Sequence, residues 1–212
     1  MHKKYKSIIQ KNSYILFISI YIFASLLNNK LFGSGAYDKG SSTGKGRFEL
    51  SITLNPFGIV PYGQNYAVLS YGLGHRFDVV CYYSSHKNGT QSQYFGSLFQ
   101  FFESQKLDLA SAIGLRHQNN GKWNIFAPQI LYNYKLSKNY TLGGSLVKVI
   151  ELKNNKDVGN ALDVTLYKKI NRFSSQKRKI KEAYIGLGLF KNTEASLKTR
   201  DLYLHYSLDL IF

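Results

Sequence analysis

From Arg47 to the C-terminus, apolar and polar residues alternate with a period of two, and no stretch carries a sustained helical stripe. Phe48, Leu50, Ile52 and Leu54 alternate with Arg47, Glu49, Ser51 and Thr53, which predicts a strand with one apolar face. The pattern returns over 67–73, 77–83, 107–115, 126–134, 140–146, 162–170 and 185–189, while 94–102 is apolar on both faces. It is plainest in the last eleven residues, where Leu202, Leu204, Tyr206, Leu208, Leu210 and Phe212 alternate with residues that include His205, Ser207 and Asp209. These segments predict ten strands.

The connections alternate in character. Segments 55–64, 84–93, 151–157 and 191–199 read as loops, whereas 74–76, 103–106 and 136–139 read as short turns flanked by aromatic residues. Asn120-Gly121 in 119–122 is a hairpin signal. Segment 171–181, with Arg172, Lys177, Arg178, Lys179 and Lys181, is the exception, too long for a turn on the short side.

Composition agrees with strands at a boundary between two solvents. There are 17 Tyr and 14 Phe among 212 residues, and aromatic rings suit strands and half-wet, half-apolar surfaces. Cys81 is the lone cysteine, so no internal disulfide is available.

Residues 1–36 read as a secretory signal peptide. Lys3, Lys4, Lys6 and Lys11 precede the apolar run 13–27, which is shorter than the roughly 20 residues of a spanning helix, and Ser34-Gly35-Ala36 supplies small residues for cleavage after Ala36. Segment 37–46, rich in Gly and Ser, reads as a flexible lead-in without core residues. The formal net charge is +16, and without the leader 23 basic residues face 12 acidic ones. The cations lie mostly in connections rather than on one stripe, and no binding motif accompanies them, which argues against a nucleic-acid partner.

The terminal strand resembles the C-terminal strand of bacterial outer-membrane β-barrels, whose last residue is characteristically Phe. The resemblance implies an all-β fold over 47–212, a single closed antiparallel transmembrane barrel of ten strands, with eight or twelve as alternatives. It also implies that Leu204, Tyr206, Leu208, Leu210 and Phe212 form the signal read by the outer-membrane assembly machinery. Outer-membrane lipid and lipopolysaccharide would be the surroundings, with loop lysines near the phosphates. A secreted β-sandwich would hide similar strands. The terminal Phe, the aromatic-flanked turns and the leader favour the barrel.

With apolar faces outward, Glu49, Asp78, Asp108, Asp163 and Asp209 point into the lumen, joined by Arg47, Arg116, Lys169 and His205. Two readings follow: a charged constriction that selects solutes, or a network of ion pairs and hydrogen bonds filling a narrow lumen. The second suits ten strands, since a barrel of about eight is just filled by side chains. Across the seam between first and last strands, His205 and Asp209 are expected to meet Glu49 and Arg47.

No catalytic group emerges. His86 in Ser84-Ser85-His86-Lys87 lacks the following Ser of outer-membrane lipid hydrolases, and no motif of omptin-type proteases is present. His75, His86, His117 and His205 have no ligating spacing, so no metal and no cofactor is expected. The function expected is that of a small, porin-like barrel with a narrow or plugged lumen, structural or serving small solutes. The alternatives are a lipid- or surface-modifying enzyme, or an adhesin-like protein binding through 55–64 and 84–93.

Overall fold

The computed structural model describes residues 39–54, 66–85, 91–118, 123–153, 156–170, 180–192 and 202–212. These residues contain no helix. They form β1 (Phe48–Leu54), β2 (Tyr66–Gly72), β3 (Phe77–Ser85), β4 (Gln91–Glu103), β5 (Leu107–Gln118), β6 (Trp123–Phe126), β7 (Gln129–Lys135), β8 (Tyr140–Glu151), β9 (Lys156–Lys169), β10 (Glu182–Asn192) and β11 (Leu202–Ile211). Strands adjacent in sequence pair antiparallel, except that β6 and β7 do not pair with each other and together form one stave between β5 and β8. β1 pairs with β11, from Glu49 opposite Ile211 to Leu54 opposite Tyr206. The chain is therefore a closed barrel of ten staves, with no free sheet edge.

Closure follows from the solvent. In lipid every backbone N–H and C=O must find a partner within the protein, and a closed sheet provides one. The outer wall is what such a sheet needs. Phe95 and Ile130 are each 57% exposed, and Ile113, Leu146, Leu162, Ile185, Leu187 and Leu208 are also exposed. At the rim where the short turns lie, Phe48, Tyr71, Phe77, Phe101, Tyr134 and Tyr140 stand exposed at strand ends and make an aromatic girdle. The inner face is buried, alternating residue by residue with the outer one, as in β1 where Glu49, Ser51 and Thr53 face inward. In β4 the doubly apolar run resolves with Tyr94, Leu98 and Gln100 inward and Phe95 and Phe99 outward.

The strands run further than the alternation suggests. β3 extends to Ser85 and β4 begins at Gln91, so both ends of 84–93 are strand and 86–90 lie outside the described residues; likewise β8 reaches Glu151 and β9 starts at Lys156. The expected contrast between long loops and short turns is correspondingly weaker. The sixth expected strand is broken at Ala127-Pro128 into β6 and β7, because a proline has no N–H to give the ladder and a closed barrel has no edge to hide it. The chain stays paired around the break through Ala127 N–H to Gly114 O (3.2 Å) and Lys148 N–H to Pro128 O (3.0 Å). A second irregularity lies between Val149 and Ile150, opposite Gly159, whose φ of 149° suits glycine. Ile170 and Lys181, which flank 171–179, both lie at the turn rim, bonded to Ala183 O and Ile211 O. Residues 1–36, the whole of loop 55–64, the Asn120-Gly121 hairpin at 119–122, 171–179 themselves and 193–199 of loop 191–199 lie outside the described residues.

At the seam, Phe212 N–H donates to Phe48 O at 2.8 Å and the two rings lie 6.1 Å apart. Replacing Phe212 with Ala keeps the main-chain bond and removes the ring pair, worth about 1 kcal/mol. The variant should unfold at lower urea in detergent micelles, read as loss of heat-modifiable migration on gels. An unchanged midpoint would contradict a part for the ring in closing the seam.

Candidate functional site: the inner wall and residues 39–46

Five buried carboxylates face the interior: Glu49, Asp78, Asp108, Asp163 and Asp209. Glu49, Asp78 and Asp108 stand at the starts of β1, β3 and β5, and Asp209 near the end of β11, so four of them gather towards the turn rim. A buried carboxylate without a partner costs several kcal/mol. Lys135, at the end of β7, meets Asp108 at 2.9 Å. Glu49 and Asp209 take their cation from Lys39, which precedes the first strand.

Residues 39–46, the described part of segment 37–46, run inside the barrel, whereas their composition predicts a flexible lead-in without core residues. Lys39 Nζ lies 2.6 Å from Glu49 Oε1 and 2.9 Å from Asp209 Oδ2. The faces of Tyr184 (4.8 Å to the ring centre) and Tyr167 (5.6 Å) flank the same ammonium. Burial works against its charge, but the fields of Asp209 and Glu49 outweigh that and hold the Lys39 pKa above its ordinary value. Gly40 passes so close to β7 that a Cβ there would lie 2.5 Å from Tyr132 Cα. Ser41 donates to Asp108 (3.0 Å) and accepts from Asn133 Nδ2 (2.5 Å). Ser42 N–H donates to Gln100 Oε1 (2.9 Å) and its hydroxyl to His75 O (2.6 Å). Thr43 N–H donates to Asp78 Oδ2 at 2.6 Å and its hydroxyl to Glu49 Oε2 at 3.3 Å. The chain then turns through Gly44, whose φ of 87° favours glycine, with Arg47 N–H bonded to Gly44 O, and enters β1. The segment thus follows the inner wall from β7 through β5, β4, β3 and β2, while the Lys39 side chain reaches β1 and β11.

The acids at the seam are joined differently from expectation. Ser51 Oγ, on β1, donates to Asp209 Oδ1 at 2.5 Å, and Lys39 links Asp209 to Glu49. His205 turns to β9 instead, with Nε2 2.8 Å from Asp163 Oδ2, and Thr165 donates to Asp163 Oδ1 at 2.7 Å. This group is sealed, with His205 1% and Asp163 0% exposed. Room for it comes from glycine: a Cβ on Gly188 would meet Thr165 Oγ1 at 2.2 Å and His205 Nε2 at 2.4 Å. Tyr94 likewise lies over Gly96 and Gly114. Arg116 is buried towards the other rim, in β5. Lys169 is half-buried and pairs with Glu182 at 2.8 Å, and Arg47 is exposed at the turn rim.

Between segment 39–46 and the β7–β11 wall lies a cavity of about 200 Å³, lined by Lys39, Arg47, Glu49, Lys135, Glu182 and Tyr184 among others. On the opposite side of Lys39 a space of about 30 Å³, roughly one water in size, is lined by Glu49, Ser51 and Asp78 among others. Among the described residues no three His, Cys, Asp or Glu side chains are grouped to hold a metal ion.

The sequence pattern found the inward acids but not their partners. Lys39, Ser41, Thr43, Gln100, Asn133, Lys135, Tyr167 and Tyr184 were not singled out. One signal was available: four acids falling near one rim with few cations on the same strand faces, and a lysine ten residues before Glu49.

No protein-family model matches the chain, and no curated protein matches it in sequence. Among solved structures it is similar to the KdgM porin in complex with disordered oligogalacturonate, at 7% identity and a TM-score of 0.48, covering 78% of this chain and 98% of that one. It is also similar to the outer membrane protein OprD from Pseudomonas aeruginosa, at 8% identity and a TM-score of 0.30, covering 78% of this chain and 65% of that one. OccK5 (OpdH) of the same organism matches at 10% identity and a TM-score of 0.29, covering 76% and 62%. At these values the likeness concerns architecture and says nothing of solutes. The chain's own build, a closed barrel with an apolar, aromatic-girdled outer wall and an interior that mixes polar, charged and apolar side chains, is that of a bacterial outer-membrane barrel.

Gly188→Ala tests the packing around His205. The added methyl must displace the Thr165 or His205 side chain, and such overpacking costs about 1–3 kcal/mol. The urea midpoint should fall while the barrel still forms; wild-type stability would contradict the close packing.

Proposed function

We propose that this protein is a small outer-membrane channel whose lumen is closed from the turn rim by residues 39–46, and that small solutes pass only when that segment withdraws. The observation that carries the reading is the row of bonds from Lys39, Ser41, Ser42 and Thr43 to Glu49, Asp209, Asp108, Gln100 and Asp78, spread over five strands. These contacts are polar and local, so they are replaceable by water, unlike an apolar core. The rest of the interior supports a narrow path: Val80, Ala112, Leu131, Ser145, Val149 and Thr165 are all 0% exposed. In keeping with outer-membrane barrels, the turn rim, where β1 begins and β11 ends, faces the periplasm. The terminal strand, with Leu204, Tyr206, Leu208, Leu210 and Phe212, then serves both as the closing stave and as the assembly signal.

A channel reading is favoured over an enzyme. Among the described residues, the arrangement with the flavour of a catalytic relay, Thr165–His205–Asp163, is sealed from solvent and can meet no substrate.

The test is conductance in planar bilayers. The chain with residues 39–46 present should give no steps or rare small ones, and deletion of 37–46 should give steady, larger steps. Large, steady conductance from the unaltered barrel would overturn the reading, as would a folded deletion variant that stays silent.

A further inference from the structure

The Lys39 ammonium does not sit against a loose cluster of acids. It occupies a built enclosure: Glu49 Oε1 at 2.6 Å and Asp209 Oδ2 at 2.9 Å supply charge and acceptors, and the faces of Tyr184 and Tyr167 stand 4.8 and 5.6 Å away. Two carboxylates with two aromatic faces are the complement of an alkylammonium, because the ring quadrupole attracts the cation while its carbons pack on the ring. Next to this enclosure, Asp78 is 1% exposed and its Oδ1 has no hydrogen-bond partner. Asp78 borders the small space shared with Lys39 and Glu49, so a third carboxylate oxygen is at hand for a ligand that carries a second donor. A divalent metal fits less well, since no three acidic or imidazole groups converge among the described residues. The cavity of about 200 Å³ beside Lys39 gives an approach from the turn rim.

We propose that Glu49, Asp209, Tyr167 and Tyr184 form a binding site for primary amines, held in this conformation by the chain's own Lys39. Lys39 is then a tethered occupant. When residues 39–46 withdraw, the site stands free in the lumen, and small primary amines or polyamines are the solutes it admits. This second part rests on the channel reading; the site itself does not. Withdrawal of the Lys39 ammonium leaves the two carboxylates charged and close together, and a free alkylammonium restores the balance without the segment.

The test is chemical rescue. Lys39→Ala shortens the side chain by the length that propylammonium can refill. Wild-type and Lys39→Ala barrels are refolded in detergent with propylammonium chloride or with sodium chloride at equal ionic strength, and unfolding is followed by heat-modifiable migration. Propylammonium should raise the folded fraction or the melting temperature of Lys39→Ala and leave the wild type unmoved. Binding by calorimetry should be roughly tenfold or more tighter to Lys39→Ala than to wild type. If Lys39→Ala fails to fold in sodium chloride, recovery in propylammonium is the same supporting result. Adding Glu49→Gln and Asp209→Asn to Lys39→Ala should abolish the response. Equal effects of sodium and propylammonium, or none from either, would overturn the site. The deletion of 37–46, where it conducts, should show a reversal potential towards the cation; selectivity for the anion would overturn the solute class alone. Silence in bilayers would fail the channel reading and leave the rescue result standing.

Discussion

Four carboxylates crowded on the inside of one end of a barrel set the terms for the rest of this structure. Glu49, Asp78, Asp108 and Asp209 stand on four different strands, so no local change of backbone could separate them, and all are buried. Mutual repulsion and desolvation would together oppose closure of β1 on β11, since Glu49 and Asp209 sit on those two strands. The wall itself offers Lys135 to Asp108, and Lys39 and the backbone N–H of Thr43 supply the cation and donor that the walls lack for Glu49, Asp209 and Asp78. Residues 39–46 are therefore less an appendage of the barrel than the missing portion of its lower interior.

The upper interior solves a different problem, that of volume. There glycines on β4, β5 and β10 make room for Tyr94, His205 and Thr165, and the His205–Asp163 pair is closed within a packed layer. One end of the lumen is thus filled by rigid side chains from the walls and the other by a segment held through polar bonds. Polar bonds exchange with water at little net cost, about 1 kcal/mol each, whereas interlocked rings over glycine do not. That difference in kind is what makes the lower end the movable one.

Much of the fold was legible in the sequence because lipid on one side and a crowded lumen on the other enforce a strict period of two. The strands, their outward faces, the ten staves and the closing part of Leu202–Ile211 all follow from it. The break at Pro128 was equally open to inspection, since Pro cannot sit in an edgeless ladder without a break, yet the alternation on either side disguised it. What periodicity could not show was where residues 39–46 go. Gly40, Gly44 and Gly46 read as a linker by composition, yet the missing Cβ of Gly40 is what lets the chain pass against Tyr132, and the missing Cβ of Gly72 on β2 makes room for Gly44. Nor could it choose the partner of His205, because register across the seam put Ser51 opposite Asp209 and left His205 to β9.

The central claim, that the acids of the lower wall and Lys39 require one another, is tested most directly by a double-mutant cycle. Unfolding free energies would be measured in detergent for the wild type, Lys39→Met, Asp209→Asn and the double variant. Each single change should cost about 3–5 kcal/mol, because it strands a buried charge or breaks its network. The double variant should lose clearly less than the sum, by about 1 kcal/mol or more. Strictly additive losses, or a Lys39→Met barrel as stable as the wild type, would contradict the account.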